Sequence, residues 1–239
     1  MSAALAAQVL VVPAPGRDGT RSIPPCTPGQ AAAITAAAVS DTLDAVRATP
    51  VARRVVALDG AAGDLDLSGC HVVPQVDGDL GTRLAVAFAD AAGSSGSGLP
   101  TLLIGTDTPQ VTPALLAACL DRLLSAGHGT AVLGTAPDGG WWALGLYCAA
   151  AAGVLRGVPT GRGDTGEHTR AALVDAGLTV LDLPELAGIH GFPDALSVAD
   201  ACAPGTRTVR VVAEVAAALG GGARPAPGVS RAAPTPSRR

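Results

Sequence analysis

The sequence predicts a doubly wound α/β fold: three layers around a mostly parallel central sheet. Three observations carry this. Seven short apolar, β-branched runs alternate with longer Ala/Leu-rich stretches, and such alternation implies parallel strands joined by right-handed helical crossovers. The runs are apolar almost throughout, as in a sheet covered on both faces. Two of the Ala/Leu-rich stretches open on clear helix-start signals at Thr27 and Thr112.

The first strand is expected at residues 9–12, where the N-terminal run MSAALAAQVLVV ends. No positive segment precedes that run, so it reads as structure and not as a signal peptide. Thr27, Pro28 and Gln30 then form a capping box with proline at the first helical position, which starts a helix reaching about residue 48. Strands follow at 54–58 and 71–73, and a helix at about 81–92. GSSGSG, residues 93–98, reads as a flexible surface loop. The strand at 102–105 leads to a helix capped by Thr112, with Pro113 in its first turn, that stops near Gly127. Strands at 131–134 and 142–146 flank Asp138-Gly139-Gly140, a tight-turn signal. Helices are expected at about 166–176, 194–201 and 208–219, with a strand at 179–183. The last residues, 220–239, are rich in Pro, Gly and Arg without periodicity. They predict a disordered tail behind a single domain spanning residues 1–219.

Composition narrows the function. The chain of 239 residues is 48% apolar but only 2% aromatic, so alanine, valine and leucine build the interior. Its 16 basic residues are all arginine, and a net charge of -4 gives no electrostatic footprint for nucleic acid. No apolar stretch is long enough to cross a membrane. The five cysteines are scattered with no C-x-x-C pair, which favours small buried hydrophobes in a reducing cytoplasm over a metal or disulfide site.

Four stretches carry polar chemistry. In open α/β sheets ligands bind beyond the carboxyl ends of strands, so LLIGTDTP matters most: Asp107 follows a buried strand. It either holds a divalent cation through oxygen or caps the turn before the next helix. In PDGGWWALGL, Asp138, Gly139 and Gly140 either make a simple hairpin or let backbone approach a sugar or phosphate. Trp141 and Trp142 face opposite sides of their strand, so one can pack in the core while the other lines a pocket. In QVDGDLGTRL, Gln75, Asp77, Asp79 and Arg83 crowd a strand-to-helix junction beside Gly78 and Gly81. This is either a site for an anion or a base edge or a solvated turn with an N-cap aspartate. In PAPGRDGTR, from Pro13 to Arg21, a glycine-containing loop with arginines either cradles phosphates or is a polar surface loop. It is neither a Walker A loop nor G-x-G-x-x-G, which counts against a nicotinamide-dependent oxidoreductase.

As a set, in this order, the four stretches resemble the DUF2064 family, the "transferase 1, radical-SAM/selenodomain-associated" proteins. That family sits in the GT-A-type nucleotidyltransferase-like superfamily beside MobA-like and CofC-like proteins. The resemblance covers about residues 9–203. It implies a Rossmann-like GT-A fold and a cytoplasmic transferase of nucleotidyl or glycosyl groups. The implied ligands are a nucleotide triphosphate or nucleotide sugar, Mg2+ or Mn2+, and a small-molecule acceptor. By position it implies Asp107 as metal ligand, and Pro13, Gly16, Arg17, Thr20 and Arg21 as the phosphate loop. Gln75, Gly78 and Gly81 fall near the nucleotide, and Gly139, Gly140 and Trp141 on the acceptor side. Asp138 falls there too, as the candidate base.

Two departures stand out. The family loop carries a lysine where this chain has Gly19, and no lysine occurs anywhere in the chain. Where the family pattern has a second acidic group, GIHGFPDA places His190. Imidazole suits Mn2+ better than Mg2+, so His190 is either a replacement ligand or the mark of a decayed metal site. The segment VPTGRGDT, residues 158–165, is also changed. The rival expectation is therefore a catalytically degenerate member that binds nucleotides or acts as a scaffold.

Overall fold

A computed structural model of the chain describes residues 4–13, 22–93 and 98–221. Most of the Pro13–Arg21 loop, with Gly16, Arg17, Thr20 and Arg21, lies outside the described residues. So do residues 94–97 of the glycine–serine loop and the tail from residue 222.

The seven expected strands are present as β1 (Leu5–Val11), β2 (Val51–Leu58), β3 (His71–Pro74), β4 (Thr101–Ile104), β5 (Thr130–Thr135), β6 (Trp141–Leu146) and β7 (Thr179–Asp182). They form one sheet in the order β3-β2-β1-β4-β6-β5-β7. The chain builds outward from β1 to β3, then returns to lay β4 on the other side of β1. That reversal makes β1 and β4 a topological switch point. β1 begins four residues before the expected start, because Leu5 pairs with Val51 although the alanines after it carry little strand signal. Strand-helix alternation alone would make every neighbour parallel. β6 instead runs antiparallel to both β4 and β5. The five residues between β5 and β6 are too few for a crossover, so the Asp138-Gly139-Gly140 turn reverses the chain.

The described residues form six α-helices, of which the first four lie on the sheet: α1 (Pro28–Ala48), α2 (Leu80–Ala92), α3 (Pro113–Ala126), α4 (Thr165–Asp175), α5 (Phe192–Ala201) and α6 (Arg207–Gly221). α1 shows its capping box, with Thr27 Oγ1 accepting from the Gln30 N–H. Thr112 caps α3 by accepting from the Leu115 N–H at 3.1 Å. A 3-10 helix at Ala149–Gly157 has no counterpart in the expected pattern, since its Ala-rich run is too short for helical periodicity. α1 and α3 close one core against Val9, Val11, Val56, Leu102 and Ile104. α2, the 3-10 helix and α4 close the other against Leu10, Val55, Leu103 and Leu133. α2 comes very near the 3-10 helix because Gly81 has no side chain; a Cβ there would stand 2.0 Å from the Leu155 carbonyl oxygen. Cys119 and Cys202 are buried as expected. Cys26 and Cys70 are only half-buried, and Cys148 is exposed, because it stands in the turn between β6 and the 3-10 helix.

A third core lies outside the sheet, where α5 and α6 pack on the far side of α1 through Ile34, Ala38, Phe192, Val198, Val212 and Val215. One buried carboxylate fixes it. Asp41 of α1 accepts from the backbone N–H groups of Arg207 (3.2 Å) and Thr208 (2.7 Å), from the Thr208 hydroxyl (2.7 Å) and from Arg207 Nη1 (3.1 Å). A side chain of one helix therefore caps the N-terminus of another, satisfying donors that would otherwise be orphaned. One turn on, Asp44 accepts from both Arg207 and Arg47. Partial burial pushes the Asp44 carboxyl up, but the hydrogen bonds from Arg207 and Arg47 outweigh it and hold the group below its ordinary value.

Asp41→Ala is expected to cost about 2–3 kcal/mol in urea denaturation, since it strands buried donors of α6, whereas Asp41→Asn should lose less. Unchanged stability in the alanine variant would show that α6 docks by its apolar face alone. Because the folded state depresses the Asp44 value, its contribution is present above the unfolded value, about 3.9, and is lost as pH falls through the folded one. The melting temperature should therefore drop more between pH 5 and pH 3 in the wild type than in Asp44→Asn.

Candidate active site

The carboxyl ends of β1 and β4 open into a cavity of about 640 Å3. Val12 and Pro13 enter it from β1, and Gly105, Thr106, Asp107 and Thr108 from β4. The β5–β6 turn adds Ala136, Asp138 and Gly140, and His190 arrives from the segment after β7. Six expected site residues therefore line one space: Pro13, Asp107, Asp138, Gly140, Trp141 and His190.

Asp107 is held from both sides through its backbone neighbourhood. The Gly105 N–H donates to the Trp142 carbonyl at 3.3 Å, and the Asp107 carbonyl accepts from the Ile189 N–H at 2.9 Å. The cap of α3 is Thr112, five residues further on, so the helix does not draw its cap from Asp107. His190 comes from far along the chain. Residues 184–189 cross the carboxyl edge of the sheet, tied down at each strand. The Pro184 carbonyl accepts from Trp142 Nε1 (2.9 Å), the Leu186 N–H donates to the Thr135 carbonyl (3.2 Å), and the Ala187 carbonyl accepts from Gln110 Nε2 (2.7 Å). The strap ends with His190 Nε2 at 3.0 Å from Asp138 Oδ2. Gly188 keeps the strap close: a Cβ there would stand 3.0 Å from His190 Nε2 and 3.3 Å from Asp107 Oδ2. Asp107, His190 and Asp138 thus meet at the mouth, although they are 83 residues apart at the extremes of the sequence.

Among the described residues no three His, Cys, Asp or Glu side chains are placed to enclose a metal ion. The donors present fit a different arrangement. Hard cations such as Mg2+ take one or two carboxylates from the protein and complete their shell with water and substrate phosphates, and Asp107 at the cavity wall offers such an oxygen pair. His190 Nε2 lies against Asp138 and would have to leave that carboxylate to bind a metal through this nitrogen.

The β5–β6 side of the cavity is built from glycines. Asp138 Oδ1 accepts from the Gly140 N–H at 2.9 Å, which fixes the carboxylate over its own turn. Gly139 does not line the cavity but buttresses it. Its φ is +81°, and a Cβ would stand 1.7 Å from the Gly163 carbonyl oxygen. The Gly139 carbonyl accepts from the Gly166 N–H at 2.8 Å, joining the turn to the first residues of α4. This contact carries Gly161, Arg162 and Gly163 to the cavity edge. Trp142 is buried, with Nε1 bound to Pro184; Trp141, on the opposite face, is half-buried and donates from Nε1 to Thr169 Oγ1 at 3.0 Å.

The glutamine–glycine block divides differently from the expectation. Gln75 does not offer its amide donors to the cavity: Nε2 donates to the Pro13 carbonyl (2.9 Å) and the Ala57 carbonyl (2.8 Å), and Oε1 accepts from Arg83 Nε (3.1 Å). It braces the wall. Gly81 serves helix packing, and Gly78 is exposed and away from the lining. Arg83, part of the polar cluster at the β3–α2 junction, lines the cavity, and so do Arg162, Leu80 and Thr108, which were not singled out as site residues. For Arg83 and Arg162 a signal existed, since each stands beside glycines at the start of a helix in a chain with few charges.

Comparison with known proteins places the fold. A candidate nucleotide-diphospho-sugar transferase of Desulfovibrio desulfuricans G20 superposes with a TM-score of 0.74 at 21% identity, over 90% of this chain and 97% of its own. A nucleotidyl transferase of Methanothermobacter thermautotrophicus gives 0.54 at 21% identity, over 85% and 98%. A 4-diphosphocytidyl-2C-methyl-D-erythritol synthase gives 0.55 at 13% identity, over 80% and 96%. These similarities establish a nucleotidyltransferase-type Rossmann-like fold. No curated protein matches the sequence. The model of the family described as "Uncharacterized protein conserved in bacteria (DUF2064)" matches residues 42–162, just over half of the chain, and this protein belongs to that family.

Proposed function

We propose that this chain is a GT-A-type transferase. It would take a nucleotide triphosphate or nucleotide sugar into the cavity and pass its nucleotidyl or glycosyl group to a small acceptor, with Mg2+ or Mn2+. One observation carries the reading: Asp107 stands at the switch point, on the wall of a 640 Å3 cavity, facing the same point as His190. The Desulfovibrio and Methanothermobacter proteins are named for activities of this kind.

Asp107 would hold the cation, with His190 as a second ligand. When bound, the cation supplies charge neutralisation at phosphate oxygens, which such displacements need more than covalent help. The rest falls to the chain. Asp138 Oδ1 is held by Gly140, and Oδ2, which His190 releases when it turns to the cation, is the oxygen that would take the proton of the acceptor hydroxyl. The Gly139–Gly163 contact and Trp141 shape the acceptor pocket and exclude water from it. Arg162 adds positive charge at its rim while paired with Asp164.

The second reading, a nucleotide binder without catalysis, is favoured by His190 standing where the resemblance implies an acid. Thermal shift with CTP, GTP, UTP, ATP and nucleotide sugars separates the two. A transferase should melt about 5 °C or more higher with its nucleotide plus Mn2+ or Mg2+ than with the nucleotide alone. Asp107→Ala should abolish the metal-dependent part, and Mn2+ should exceed Mg2+ if His190 ligates. Stabilisation indifferent to metal and to Asp107 would establish the binder.

A further inference from the structure

Arg83 poses a problem that the transferase reading leaves open. It lines the cavity from α2, yet among the described residues it forms no ion pair, and its buried Nη2 has no hydrogen-bond partner there. A buried guanidinium nitrogen without an acceptor is costly, and a group of this kind on a cavity wall calls for an explanation, an ordered water or a bound ligand among them. The side chain is also not loose. Gln75 Oε1 accepts from Arg83 Nε, and both donors of the Gln75 amide are anchored, one to the end of β1 and one to β2. An entire side-chain amide is thus spent on aiming one guanidinium.

The surroundings decide what it is aimed at. Asp107, Asp138 and His190 gather on the β4–β6 side of the cavity, where phosphates and a cation belong. Arg83 enters from α2, whose Leu80 and Leu84 also line the cavity, as does Val12 just past β1. Leu80 is 38% exposed there, an apolar surface left facing the opening. Apolar walls with one fixed, donor-only group suit a flat ring with a polar edge better than a phosphate, which would want several donors.

We propose that Arg83, positioned by Gln75, reads the nucleobase, and that it selects a base presenting two adjacent acceptors: guanine or cytosine in preference to adenine. Guanidinium offers only donors. Guanine O6 and N7, or cytosine O2 and N3, can take two of them, whereas the exocyclic amine of adenine meets the same group donor to donor. The inference rests on the transferase reading for the presence of a nucleotide, and adds which residue recognises it and what it recognises.

Calorimetric titration of the full chain with GTP, CTP and ATP, each with Mg2+, and with inorganic tripolyphosphate as a probe lacking a base, tests it. The wild type should bind GTP or CTP at least about tenfold more tightly than ATP. Arg83→Met should bring that ratio close to one and leave tripolyphosphate binding within about twofold. Gln75→Met should lower the ratio in the same direction with tripolyphosphate again unaffected, and Arg83→Lys should recover only part of it. Equal affinity of the wild type for all three nucleotides overturns the proposal without any variant. A parallel loss of tripolyphosphate binding in Arg83→Met does so too, by making Arg83 a phosphate ligand. If no nucleotide binds the wild type, the transferase reading falls, and this proposal with it.

Discussion

The architecture of the site depends on one strand running backwards. β6 is antiparallel to its neighbours on both sides, so it starts at the edge where the others end. That single reversal delivers Asp138, its glycine turn and Trp141 to the carboxyl edge beside Asp107. It also creates the ledge over which residues 184–189 are strapped: Trp142 binds Pro184, Thr135 binds Leu186, and Ile189 binds the Asp107 backbone. With β6 parallel, a crossover helix would occupy that edge, and His190 would have no route to Asp107. The polar cluster at the mouth is therefore a consequence of strand direction, held by backbone hydrogen bonds at each step.

Small residues do the complementary work. The interior has almost no aromatics to fill gaps, and close approach replaces bulk. Gly81 admits the 3-10 helix against α2, Gly139 admits the 160–164 segment against the turn, and Gly188 lets the strap lie beside the Asp107 carboxylate and the His190 imidazole. Away from the site, a buried carboxylate on α1 fastens α6 by its own N-terminus, so the helices added outside the sheet are set by a polar clasp as well as by Val212 and Val215. The cavity then has two unlike sides. Among the described residues, one is acidic and imidazole-bearing; the other is apolar with the braced Arg83 guanidinium.

Much of this was legible in the sequence. All seven strands and six α-helices were, because apolar runs and capping residues are local signals; Thr27 and Thr112 cap the helices they were expected to cap. Asp107 and Asp138 were legible as carboxylates placed on the cavity by glycine-flanked strand ends, and Trp141 and Trp142 point to opposite faces of β6, with Trp142 buried, as strand alternation requires. What escaped depended on contacts between distant segments. Gln75 looks like a reader of ligand from its neighbours, and only the positions of Pro13, Ala57 and Arg83 turn it into a brace. Gly81 looks like part of a ligand loop until Leu155 arrives beside it. The meeting of His190 with Asp138 could not be read at all, since it arises from a strap across three strands.

The account stands on Asp107 facing a cation shared with a nucleotide. Crystals grown with Mn2+ and a bound nucleotide test this directly through the anomalous signal of the metal. The account predicts a peak within about 2–2.5 Å of an Asp107 carboxylate oxygen, with phosphate oxygens completing its shell. A nucleotide seated in the cavity with no metal at Asp107, or with the metal bound elsewhere, would contradict it.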